Sequence, residues 1–213
     1  MRITKSVVEK KLERSPEIHF LPYIGPDYGV EGSRVLFVGE ANHGRDGDND
    51  NRFYTRNVVE KGIDDAVADR GNDRWVRYIR NTSAMLSGEK YGAADIWDQA
   101  AYSVFFQFIY TDPHDNKKDN NEAQLREARA AFFKLLEILQ PEYVVLWGAA
   151  MEKNHWLLHD DGARVVEPSV PVYAYKKYPR TLIWTCHHPS RDFSYQKEHE
   201  RWLQVRELGR RGA

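Results

Sequence analysis

Two short polar clusters hold the residue types that acid–base and electrostatic chemistry requires. The first is Gly39-Glu40-Ala41-Asn42-His43-Gly44, and the second is His187-His188-Pro189-Ser190-Arg191. In the first, the flanking glycines allow a tight turn and close approach of backbone to a ligand. Glu40 is suited to orienting a water molecule or stabilising a developing cation. In the second, a histidine can donate a hydrogen bond to an oxygen that gains negative charge. Pro189 stiffens the chain beyond it, and Arg191 is suited to a phosphate. Strand alternation sends His187 and His188 to opposite sides, with His187 expected to pack beneath the sheet edge. The plain alternative for the first cluster is a solvated turn between strand and helix.

Each cluster follows a short apolar run. Residues 34–39 (RVLFVG) and 181–185 (TLIWT) read as strands buried on both faces, as does 143–147 (YVVLW), which ends at Gly148. Residues 101–110 (AYSVFFQFIY) read as a further strand. Helices are expected over 121–139, where Leu125, Ala128, Phe132, Leu135, Leu136 and Leu139 form one stripe, over 149–158, and over 195–208. Trp75, Tyr78, Ile79, Thr82 and Leu86 also fall at helical spacing. Residues 1–14 are suited to a short helix, and 40–51 and the rest of 44–74 before Trp75 read as loop. Strands alternating with helices predict an α/β fold: a three-layer αβα sandwich around a central, mainly parallel four-stranded sheet. One domain is expected over 1–213, with 1–33 as an N-terminal extension packing on it. In such sheets ligands bind beyond the carboxyl ends of the strands. Glu40, Gln107, Gly148 and His188 should therefore meet along one edge.

The 213 residues include one cysteine, Cys186, which excludes an internal disulfide and a four-cysteine metal site within one chain. With no apolar run long enough to span a bilayer and no apolar signal core near Met1, the chain is expected to be cytoplasmic and without a membrane partner. The 31 basic and 32 acidic residues leave a net charge of −1, so any nucleic-acid affinity must come from a local basic face. Lys176, Lys177, Arg180 and Arg191, around the last strand, are the candidates.

Three other constellations carry less. Asp46, Asp48 and Asp50 resemble the start of a calcium loop, but Asn51 stands where glycine is needed and Asn57 where glutamate is needed. His155 and His159 share a helix face without a third ligand. Cys186 and His187, adjacent on a strand, should point apart and not form a nucleophilic pair. No metal and no cofactor is expected. Trp147 and Trp184 read as core or pocket wall.

A buried strand ending in Gly39-Glu40-Ala41, with a late buried strand ending in His188-Pro189-Ser190, resembles the uracil-DNA glycosylase superfamily. The first motif is closest to the form found in its iron–sulfur branch, with Asn42-His43 standing where that motif has proline, although the four cluster cysteines are absent. The resemblance implies a monofunctional DNA glycosylase that flips a nucleotide out of the stack and hydrolyses its N-glycosidic bond. It implies Glu40 and His188 as catalytic residues. Ala41, Asn42 and His43 would line the base pocket, and Phe53, with Tyr54 as neighbour, would stack on the base. Gln107 is the nearest amide to the family's base-reading asparagine. Ser190 and Arg191 fall where the family's loop engages DNA. The partner implied is DNA, the protein acting as a monomer, and the target is uracil or another altered base. A bulkier modified pyrimidine, as in defence against phage with modified DNA, fits the departures in the motifs. The rival readings are a non-catalytic nucleic-acid binder with the same fold and a small-molecule hydrolase using the same pocket.

Overall fold

The computed structural model describes residues 5–30, 34–71, 73–90, 94–111, 121–148, 156–157, 162–190 and 193–211. In chain order these give α1 (Lys5–Glu13), β1 (Tyr23–Ile24), β2 (Val35–Gly39), β3 (Asn42–His43), α2 (Tyr54–Val67), α3 (Arg74–Ser87), β4 (Ala100–Val104) and β5 (Ile109–Tyr110). They continue with α4 (Glu122–Leu139), β6 (Tyr143–Trp147), β7 (Ala163–Glu167), β8 (Val172–Tyr175), β9 (Tyr178–Cys186) and α5 (Tyr195–Arg211).

The fold is mixed α/β around a mostly parallel sheet of seven strands in the order β1-β4-β2-β6-β9-β8-β7. The four expected strands β4, β2, β6 and β9 form its parallel centre, with Phe37 opposite both Tyr102 and Val145, and Val145 opposite Trp184. The expectation of four strands is corrected by antiparallel additions at both edges: β1 pairs with β4, and β8 and β7 extend the sheet beyond β9. These strands escape sequence reading for physical reasons. β1 is two residues long, and β7 lies at the sheet's edge, where its residues are only partly buried or exposed and carry no burial pattern.

Alternation divides the core between the two sheet faces. Leu36, Val38, Val144, Leu146 and Ile183 pack with α1 and α4 through Val8, Leu12, Phe132 and Leu136. Phe37, Val145, Trp147, Trp184 and Cys186 pack with α2, α3 and α5 through Val59, Ile79, Met85, Trp202 and Val205. Residues 5–30 supply Val8, Leu12, Ile18, Phe20, Leu21, Tyr23, Ile24 and Tyr28 to these clusters, so this segment is built into the core.

Two further expectations change. Residues 101–110 are not one strand. β4 stops at Val104, and the Phe105 and Phe106 N–H groups donate to the Gly39 and Glu40 carbonyls. Both phenylalanines enter the same core cluster, which successive residues of a regular strand cannot do. The second change is α2, which occupies much of the expected loop 44–74. Its stripe is short and mostly polar, with Thr55, Val59 and Gly62 buried. At Gly62 an added Cβ would lie 3.2 Å from Trp75 Cβ, so glycine permits the close approach of α2 to α3. Helix ends follow ordinary chemistry: Asn121 and Gln124 form a capping box on α4, and Asp73 caps α3 by accepting from the Val76 N–H. Of the helix expected over 149–158, only Trp156 and Leu157 fall among the described residues, both buried. His155 and His159 lie outside them.

Candidate functional site

The candidate residues lie beyond the carboxyl ends of β2 and β9, with Gly148 following β6 between them. β9 ends at Cys186, and His188 follows two residues later with an exposed position. Its ring meets Tyr78 of α3 edge to face at 4.9 Å, and Trp147 of β6 lies 6.3 Å away. Tyr102 of β4 continues this wall, 4.8 Å from Trp147 and 5.5 Å from Trp75. Burial holds the Tyr102 and Tyr78 hydroxyls above the ordinary phenol range, although Arg74 and Arg77 pull Tyr78 the other way. The wall is therefore neutral, with cationic side chains at its rim.

Backbone geometry sets the His188 position. Gly148 has φ of +86°, a left-handed conformation favouring glycine, and its N–H donates to the Cys186 carbonyl. An added Cβ there would sit 3.4 Å from His188 Cβ. Beyond His188, the Asn81 side chain of α3 donates to the Pro189 and Ser190 carbonyls. The Ser190 N–H turns back onto the His188 carbonyl at 2.6 Å. Arg191 lies outside the described residues.

His187 departs from expectation. It is exposed rather than packed beneath the sheet, and its Nδ1 donates to Glu198 Oε1 of α5 at 2.6 Å. Since the strand ends at Cys186, alternation no longer governs the next two residues. Both histidines turn toward the helical layer of α3 and α5, His188 to Tyr78 and His187 to Glu198.

Glu40 follows β2 with its Oε1 atom buried. Ala41 packs on the core cluster. Asn42 is buried, and its Nδ2 donates to Thr55 Oγ1 at 2.8 Å. His43 is exposed beside Tyr110, its carbonyl accepting from the Tyr54 hydroxyl. β3 pairs in parallel with β5, which gives the first cluster a defined course in place of a free loop. Phe53 is 46% exposed just before α2, with the Arg56 guanidinium 5.7 Å from its ring centre. Asp48 is engaged within its own loop, accepting from the Arg45 N–H.

Gln107 is placed differently. Its Oε1 accepts from the N–H groups of His19 and Phe20, and its Nε2 donates to the Val104 carbonyl. The amide thus pins the N-terminal segment to the end of β4. β4, which precedes Gln107, and β9, which precedes His188, stand three places apart in the sheet, about 14 Å at the usual strand spacing.

Lys176, Lys177 and Arg180 lie at the start of β9, while His188 lies past its end. Eight strand steps separate Tyr178 from Cys186, about 26 Å. These three cations therefore do not belong to the same face as His188. Groups that sequence reading left in the background stand nearer: Tyr78, Arg74, Arg77 and Asn81 on α3, and Glu198 and Arg201 on α5. The helical spacing around Tyr78 was visible, but it marked a core stripe and gave no sign of a strand-end partner.

Among the described residues, no three or more His, Cys, Asp or Glu side chains gather as a metal site, and no helix is long and apolar enough to cross a membrane. The chain matches no protein-family model and no curated protein.

Proposed function

We propose that the chain is a DNA glycosylase hydrolysing the N-glycosidic bond of uracil or another modified base. The observation that carries this reading is His188, held beyond β9 against Tyr78 and Trp147, with the Glu40 carboxylate beyond β2 on the same edge of the sheet. Helices on both faces of the sheet support the three-layer αβα arrangement that this reading implies.

In the proposed reaction the bond between the sugar C1′ and the base nitrogen breaks, and its electron pair leaves with the base. His188 donates a hydrogen bond to the base oxygen that gains charge. Glu40 faces the cationic sugar and orients the water whose oxygen bonds to C1′. The water proton is released, and the products are the free base and an abasic sugar. The exposed Phe53 ring supplies a stacking surface for the flipped base. Because the Gln107 amide is taken by backbone and the Asn42 amide by Thr55, base reading passes within the Ala41-Asn42-His43 segment to the exposed His43 and to the backbone beside Glu40. DNA is the partner, the protein acting as a cytoplasmic monomer without metal or cofactor.

The test is base release from labelled oligonucleotides, single- and double-stranded, carrying uracil or bulkier modified pyrimidines. Release from at least one substrate, lost in His188→Ala, is expected. Binding of all substrates without release would favour a non-catalytic binder, and release from free nucleosides alone would favour a small-molecule hydrolase.

A further inference from the structure

In a chain of net charge −1, α3 carries three arginines and no acidic residue over its 14 residues. The helix also runs antiparallel to the central strands. Leu86, near its end, lines a cleft with Val35 and Ala100, the first residues of β2 and β4, whereas Tyr78 meets His188 beyond the end of β9. The arginines at its start therefore stand at the carboxyl edge of the sheet, beside the candidate site. We propose that Arg74 and Arg77 form the phosphate-contacting edge of this site, and that their partner is a DNA strand laid across the start of α3.

Helical spacing sets the arrangement. Arg74, Arg77, Tyr78 and Asn81 fall at i, i+3, i+4 and i+7, so they share one face of α3. Two members of that face have fixed partners in the strand-end loop. Tyr78 packs edge to face on His188, and Asn81 donates to the Pro189 and Ser190 carbonyls. The other two continue the face toward the helix N-terminus, Arg77 about 1.5 Å and Arg74 about 6 Å along the axis from Tyr78. Their closeness to the Tyr78 hydroxyl has its own sign: both charges pull the phenol down against the larger effect of burial. Arg74 is exposed, and Arg77 is partly so.

Neighbouring carboxylates are engaged elsewhere. Asp73 caps α3 by accepting from the Val76 N–H, Asp69 pairs with Arg80, and Asp65 pairs with Lys61 and Arg70. Glu198 of the adjacent α5 is buried and holds His187 and Arg201. Arg80 is thus spent, whereas Arg74 makes no ion pair among the described residues. An exposed arginine without a carboxylate adds little to the fold. What it offers is a permanently charged, planar fork that matches a phosphate. The same end of the helix supplies stacking faces: the partly exposed rings of Trp75 and Tyr78 lie 5.6 Å apart. A cationic rim beside exposed aromatic faces is the combination that binds single-stranded nucleic acid.

Naming the strand as DNA rests on the glycosylase reading. The experiment measures binding of a labelled single-stranded oligodeoxynucleotide to the full chain across a salt series. Arg74→Gln and Arg77→Gln should each weaken binding about fivefold at about 0.1 M salt, and flatten the log–log salt slope by about 0.7, the counter-ion contribution of one single-strand phosphate. Arg74→Lys keeps the charge and should keep the slope. Joint Lys176→Gln and Lys177→Gln substitution, at the opposite end of β9, should change neither quantity. Melting curves establish that the variants are folded, and if Arg77→Gln is not, Arg74→Gln decides. Wild-type affinity and slope in folded Arg74→Gln would overturn the proposal. A slope lost with the lysine pair instead, or no DNA binding by the wild type at low salt, would overturn it equally. Tighter binding of an RNA strand of the same sequence would overturn DNA as the partner. Base release by the wild type, with normal binding by the arginine variants, removes the α3 edge alone. Weakened binding by those variants, with no base release from any substrate, removes the glycosylase reading and keeps the edge.

Discussion

The His188 imidazole meets the Tyr78 ring edge to face, with centroids 4.9 Å apart and planes at 81°. The same helix holds the chain beyond it, because Asn81, three residues on from Tyr78, donates to the carbonyls of Pro189 and Ser190. Tyr78 and Asn81 lie on one face of α3 by helical spacing. One helix therefore fixes both the ring of His188 and the loop that carries it.

Removing either member should act on rate more than on binding. His188→Ala is expected to lower base release about 10²–10³-fold, the usual effect of losing a fixed donor aimed at developing negative charge. Tyr78→Ala should lower it by less, and Tyr78→Phe should retain most activity because the ring contact persists. Single-turnover base release, compared with oligonucleotide affinity, checks both. Equal rates in wild type and His188→Ala would remove His188 from the chemistry.

Phe53 offers the opposite test. At 46% exposure with no core role, Phe53→Ala should leave the melting temperature nearly unchanged. Base–aromatic stacking contributes about 1–3 kcal/mol per base, so substrate binding should weaken by about ten- to a hundredfold. Normal binding by the variant would pass the stacking role to another ring, with Tyr54 next in the chain.

Gln107→Ala should be a stability variant. It would leave the buried-side N–H groups of His19 and Phe20 without their acceptor, at about 1–3 kcal/mol for each group that water cannot reach. A lowered denaturation midpoint with an unchanged rate per folded molecule is expected. A stable variant with altered base preference would restore Gln107 to the base site.

Gly39 tests the floor of the aromatic wall. A Cβ there would lie 2.2 Å from the Tyr102 hydroxyl oxygen and 3.1 Å from the ring carbon that bears it. Gly39→Ala should destabilise by about 1–3 kcal/mol through overpacking. Adding Tyr102→Phe removes the nearer atom and should recover part of that loss. Additive effects of the two substitutions in a denaturation cycle would contradict the contact.

Cys186 should be chemically silent in the native state. It is fully buried, and burial first and the nearby Glu198 charge second push its thiol far above the ordinary range. Alkylation at neutral pH should proceed only after denaturant is added. Rapid labelling of the folded chain would mean that the end of β9 opens.

The sequence marked the four central strands, one of them overlong at 101–110, and the strong helices by itself, because each is a local pattern. The runs 143–147 and 181–185 are apolar on both faces, and the α4 stripe repeats at helical spacing between an Asn121 cap and Pro141. It also placed Glu40 and His188 at strand ends, since a glycine or a polar cluster directly follows each apolar run. What tertiary structure decided is what those residues face. The Gln107 amide looked free in the sequence, but the two N–H groups that its oxygen accepts from lie 87 and 88 residues earlier. His187 is paired with Glu198, whose burial depends on α5 packing against α3 and β9. The lysines at 176 and 177 are near His188 in sequence, yet the length of β9 carries them to the opposite end of the sheet. Strand and helix periodicity depends on neighbours a few residues away, whereas a side chain's partner depends on which distant element packs beside it.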